Sequence, residues 1–148
     1  MKQDHAASIY ELIAGGKELL DWFGKVPSFH DAEIVDLFLS RTGASTLRIH
    51  AWNMTNILKG RYFVLEKHAV VEFSIARILY LELDGFNHQN VIDGLKLSRV
   101  DSTKYGEDHD VFELLIEPSF GMAGVFHAID ISVSFKPGKP EFKPGKPE

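Results

Sequence analysis

The chain of 148 residues contains no cysteine. That absence removes disulfides, thiolate zinc centres and cysteine nucleophiles, and it suits a reducing compartment. Long hydrophobic runs are missing too. The apolar stretches are a few residues each, so no segment reads as a membrane span. The N-terminal MKQDHAASIYELIAGG carries acids and no long apolar run, unlike a secretory signal, and the default location is the cytoplasm. Basic residues are scarce in the body. Residues 136–148 hold four lysines and two glutamates, whereas residues 1–135 hold 12 bases against 19 acids, a net of −7 within an overall −5. An acidic body repels phosphate backbones, which disfavours nucleic acid and favours a basic protein surface as partner.

Complete catalytic signatures are also lacking. Neither Ser28 nor Ser119 lies in a G-x-S-x-G elbow, and Gly121-Met-Ala-Gly124 is too short for a phosphate loop. No HxH or HExxH pattern occurs, and the expectation is a protein without a cofactor.

What is there suits one globular domain: 45% hydrophobic residues, of which the aromatics make up 11% of the chain, are enough for a core. Ser8 to Glu11 reads as a capping box. Ile9, Leu12, Ile13, Leu19, Leu20 and Phe23 recur at helical spacing, with Gly15-Gly16 marking a bend or split. Gly24 suits a C-terminal cap and Pro27 stops any continuation.

From Ala32 the period is two. Segments 34–39 and 47–52 form a hairpin across a 42–46 turn, which places Leu37 opposite Ala51. Asn53 to Gly60 reads as a polar loop. A long strand follows over 63–75, with a bulge near Lys67, and then Leu79, Leu81 and Leu83 give another. Val91 to Val100 suits a strand or a short helical turn. Phe112 to Ile116 ends at Pro118, and Ile129 to Phe135 alternates cleanly. These readings predict an α+β fold, with an N-terminal helix packed on a largely antiparallel sheet of about seven strands. The domain spans 1–135. Residues 136–148 read as a disordered tail, because FKPGKPE at 135–141 repeats unchanged at 142–148 without any apolar period.

Trp22 to Glu33 is the densest functional-looking stretch. Trp22, Phe29, His30, Asp31 and Glu33, together with an outward Trp52, are candidate binding residues. Imidazole and carboxylate also suit a metal, and a set of His30, Asp31, Glu33 and His127 is the alternative, a small metal-assisted hydrolase or ligand-binding protein. Against it, Asp31 and Glu33 share a strand face that His30 does not. A turn cap for Asp31 and a backbone partner for His30 explain the same residues structurally. His127 shares parity with Ile129 and Ile131 and is expected to face the core.

The run W-F-G-x-x-P-S-F-H-D-A-E-I (Trp22 to Ile34) carries a family resemblance. So do L-x-I-H-x-W (Leu47 to Trp52), Glu72-Phe73, G-F-N-x-x-N-V-I (Gly85 to Ile92) and S-F-G-M-A-G-V-F-H (Ser119 to His127). In these the chain resembles the immunity protein 50 family, small bacterial proteins of polymorphic toxin systems. The resemblance spans roughly residues 20–135 and implies a protein that binds and neutralises a toxin domain, with no catalytic residues. An acidic body fits a cognate toxin with a basic face. A homo-oligomer joined through exposed sheet edges is a third reading.

Overall fold

Two adjacent glycines set how the N-terminal helical pattern is divided. A computed structural model describes residues 9–141. Residues 9–11 are helical, Ala14 forms a parallel bridge to Ser132, and a helix, α1, runs Gly16–Phe23. Gly15 stands between them at φ 84, a left-handed conformation that favours glycine. The bridge is a real hydrogen bond, Val133 N–H donating to the Ala14 carbonyl at 2.9 Å. Splitting the helix takes Leu12 off the apolar stripe, and it is 51% exposed, while Leu19 and Phe23 stay buried. Gly24 caps α1 as expected, its N–H reaching the Leu20 carbonyl at 2.7 Å. Ser8, the first residue of the expected capping box, lies outside the described residues.

The strands are β1 (Glu33–Phe38), β2 (Ser45–Lys59), β3 (Tyr62–Asp84), β4 (Val91–Val100), β5 (Val111–Phe120) and β6 (Ala123–Pro137). They close into an antiparallel barrel in the order β1-β2-β3-β6-β5-β4. The fold is therefore α+β with an antiparallel sheet, but with six strands rather than seven. Residues 63–75 and 79–83 belong to one strand, because the chain passes through a left-handed Arg77 (φ 54) and a bulge between Ile78 and Tyr80 instead of turning. Closure is made by backbone bonds between the stretch before β1 and β4: Asp31 N–H to the Ile92 carbonyl and Ile92 N–H to the Ala32 carbonyl, each 2.8 Å.

Other expectations are corrected in detail. Leu37 pairs with Leu47, not Ala51, because Ser40 and Ser45 tie off a turn nearer to β1. The shift is an even number of residues, so Leu47, Ile49 and Ala51 still face the core. Asn53 to Lys59 is strand, not loop, and pairs with Tyr62 to Glu66 as an arm beyond the barrel wall. The bulge expected near Lys67 is present, with Lys67 at φ 58 and one extra β3 residue opposite Ala51 to Asn53. β5 continues through Pro118 to Phe120. β6 continues to Pro137, past the expected 135/136 boundary, since Ala69 to Val71 of β3 offer it a ladder. The second FKPGKPE copy, 142–148, lies outside the described residues.

The core fills the barrel and its α1 end. Phe73 and Phe126 are fully buried among Leu47, Ile49, Ile75 and Leu114. Phe23, Phe29 and Phe73 meet edge to face at 6.5 and 6.1 Å, which joins α1 to the barrel interior. Tyr10 is 3% exposed in this core, and its hydroxyl has no hydrogen-bond partner among the described residues. Burial also raises its pKa above the ordinary phenol value. A buried, unpaired hydroxyl costs about 1–3 kcal/mol. Tyr10→Phe should therefore raise the unfolding free energy, read as a higher urea midpoint at unchanged slope. A lower midpoint would mean that the hydroxyl is satisfied in solution.

Candidate binding surface

The alternation of β3, β6 and β5 turns half of each strand outward, and strand order decides which outward residues meet. In register across the wall lie three rows. Tyr80, His127 and Glu113 form the first, and Glu82, Val125 and Leu115 the second. Asp84 and Ala123 pair in the third, with Glu117 two residues along β5 from Leu115 on the same side. The result is an apolar strip of Leu115, Val125 and Ala123, with Glu82 and Asp84 along its β3 edge and Glu113 and Glu117 on either side of Leu115 along β5. Lys96 on β4, opposite Leu115, is the adjacent cation. Among the described residues, Glu82, Asp84 and Glu117 take part in no ion pair. Glu82 accepts from the Tyr80 hydroxyl at 2.9 Å.

His127 closes one end of this surface. It does not face the core as expected. Phe126 and Ala128 do, because the alternation of β6 reverses between Ile131 and Ala128, opposite the left-handed Arg77 of β3, which leaves Ile129 and Ala128 both buried. Its Nε2 lies 2.9 Å from Glu113 Oε2, and its Nδ1 lies 2.6 Å from the Tyr105 hydroxyl. In a neutral imidazole the phenol donates to Nδ1 and Nε2–H donates to the carboxylate. A hydroxyl, an imidazole and a carboxylate in series form the relay that activates nucleophiles elsewhere. Here it ties the short 3-10 turn Ser102–Tyr105 to the wall.

The residues singled out from sequence divide into separate places. Phe29 is buried in the core at φ 63. His30 and Asp31 sit on the turn beside β4, where His30 Nδ1 bonds the Asp93 carbonyl at 3.0 Å and Asp31 Oδ1 lies 3.6 Å from Nε2. That carbonyl first, and the Asp31 charge second, raise the His30 pKa above its ordinary value. The backbone partner expected of His30 is found, whereas the Asp31 carboxylate turns to His30. Glu33 pairs across the sheet with His50. Trp22 and Trp52 are brought to opposite sides of the Lys67–His68 bulge. The Trp22 indole donates to the Lys67 carbonyl at 3.3 Å and packs tilted against Phe135, ring centroids 5.4 Å apart, and Trp52 lies 5.9 Å from His68.

His30, Asp31, Glu33 and His127 do not converge. No group of three or more histidine, aspartate or glutamate side chains among the described residues is placed to hold a metal. Beyond the wall, the β2–β3 arm exposes Met54, Ile57, Leu58, Tyr62 and Phe63.

Sequence reasoning missed the carboxylate-flanked strip. The signal was partly there, in the alternation of Glu82 and Asp84 with Leu81 and Leu83. Placing β5 beside β6 and β6 beside β3 needed the barrel. No described helix is long and apolar enough to cross a membrane. Compared with known proteins, the chain matches no family model, no curated protein and no solved structure.

Proposed function

We propose that this chain is an immunity-type protein that binds a cognate toxin domain, and that the toxin's basic face seats on the outer wall of β3, β6 and β5. The observation that carries this reading is the apolar strip of Val125 and Leu115, with Glu82 and Asp84 along its β3 edge and Glu113 and Glu117 on either side of Leu115 along β5. Long basic side chains lay their methylenes on such a strip and their charges against its flanks. Glu82, Asp84 and Glu117, which have no ion partner among the described residues, cost nothing in broken pairs when a basic surface arrives. The net −7 of residues 1–135 extends the attraction beyond contact and favours fast capture. The motif run from Trp22 to Ile34 directs the choice of partner to a toxin.

The test is co-expression with the toxin domain encoded beside this chain. Wild-type protein should restore growth. The triple variant Glu82→Lys, Asp84→Lys, Glu117→Lys should fail to protect and should associate about tenfold or more slowly, while melting like the wild type. Raising salt from low to physiological should also slow wild-type association several-fold, since the Debye length shrinks to about 8 Å. If the wild type neither binds nor protects, the toxin reading fails. If the triple variant protects as well as the wild type, the partner sits elsewhere.

A further inference from the structure

At the root of the β2–β3 arm, two histidines face each other outside the barrel. His50 Nε2 and His68 Nδ1 are 3.0 Å apart, and their rings are nearly parallel at 27° with centroids 5.2 Å apart. Trp52 packs on both, 4.8 Å from His50 and 5.9 Å from His68. His50 is in the ladder opposite Val70, and His68, in the bulge, is held where the Gly138 N–H donates to its carbonyl at 2.8 Å.

We infer that His50 and His68 form a chelating pair for a late first-row divalent cation, with Cu2+ held most tightly and Ni2+ and Zn2+ less so. The separation is the argument. Two imidazole nitrogens each about 2.05 Å from one ion lie about 2.9 Å apart at a right angle and about 3.3 Å apart at a tetrahedral angle. The observed 3.0 Å falls within that span, so turning each ring by roughly 35–45° from the nitrogen-to-nitrogen line points both lone pairs at a common ion. The His–His hydrogen bond currently uses one proton. Metal entry moves that proton to the same ring's outer nitrogen, so a neutral pair binds without releasing a proton. Two protein nitrogens leave the remaining coordination positions to solvent. Nitrogen donors rank these ions in the stated order.

The surroundings support a neutral pair. Burial first, then the proximity of His68, lowers the His50 pKa, and burial with the Lys139 charge lowers that of His68. Metal must displace protons from histidines that are charged, so a lowered pKa removes that competition near neutrality. Two charged groups act on the site. Glu33, opposite His50 on β1, favours a cation, and Lys139 of the first FKPGKPE copy opposes it.

The experiment is calorimetric titration of the full, untagged chain with the chlorides of Cu2+, Ni2+ and Zn2+ at pH 7.5. One equivalent should bind, in that order of affinity. His50→Ala and His68→Ala should each weaken binding at least about tenfold. His30→Ala and His109→Ala should leave it unchanged, and Lys139→Gln should tighten it. Should either alanine variant melt early, the glutamine variants at the same positions keep the volume and make the same test. Saturable binding that survives loss of His68, or no binding of any of the three ions, overturns the site.

Discussion

Phe73→Ala should cost about 3–5 kcal/mol, the upper range for losing a buried aromatic. Phe73 is fully buried at the middle of β3, with Leu47 opposite on β2, Val133 opposite on β6 and Phe29 edge-on at 6.1 Å. Truncation loses the transfer energy of the ring and leaves a void. In an open sheet, neighbouring strands can close over such a void. In a barrel whose strands are hydrogen-bonded all the way round, an inward collapse would have to break ladders. The cavity therefore persists, and its cost is retained. Against a typical total of about 5–15 kcal/mol, this loss leaves the variant marginal. Urea unfolding reads it as a midpoint drop of more than about 1 M. Phe63→Ala is the control: Phe63 lies on the arm, 46% exposed, and should change stability by only about 0.5 kcal/mol. If the two variants lose stability equally, Phe73 is not where the core is.

Gly15→Ala is expected to cost roughly 2–5 kcal/mol, from two separable causes. A left-handed backbone costs an L-residue about 1–2 kcal/mol. Overpacking adds about 1–3 kcal/mol. At φ 84 a Cβ on Gly15 would overlap the Val133 carbonyl oxygen, which is backbone and cannot rotate away. Relief means lifting the Ala14–Gly15 segment off β6 and losing its bond to Val133 N–H. Gly24→Ala separates the two causes, because Gly24 has φ 74 but nothing within 4 Å of its would-be Cβ. That variant should lose only the backbone share. Equal losses at the two sites would show that Gly15 is not in contact with β6.

Much of the wall was legible from sequence, because a strand with one wet face must alternate. Leu47, Ile49 and Ala51 read correctly as core, and so did Val71, Phe73 and Ile75. The bulge at Lys67 and the cap at Gly24 also followed from local residue chemistry. What was not legible depended on partners distant in sequence. Leu79 to Leu83 read as a separate strand, because nothing local distinguishes a left-handed Arg77 followed by a bulge from a turn. Asn53 to Lys59 read as a loop, because polar residues extend a strand when a neighbour offers a ladder. Barrel closure rests on backbone bonds at Ala32 and Ile92 that carry no side-chain signature. The same limit hid the site. Glu82, Asp84, Glu113 and Glu117 were each legible as outward, but their meeting across Val125 required the order β3-β6-β5. His127 was placed on the wrong face by extending the alternation of β6 through its reversal between Ile131 and Ala128.

Barrel closure also dictates an order of events during synthesis. β3 has β2 as a local neighbour across the two-residue turn at Gly60-Arg61, so that hairpin can form early, on the microsecond scale of isolated hairpins. Its other edge pairs with β6, and the Ala69–Pro137 partners lie far apart along the chain. β5 waits for the same strand. Until β6 has left the ribosome, both β3 and β5 present unpaired edges, and the Gly15 segment has no Val133 to bind. Barrel closure thus waits for β6. The interval before β6 arrives is when the nascent chain is most exposed to edge-to-edge association, and when a chaperone that shields strand edges has most to do.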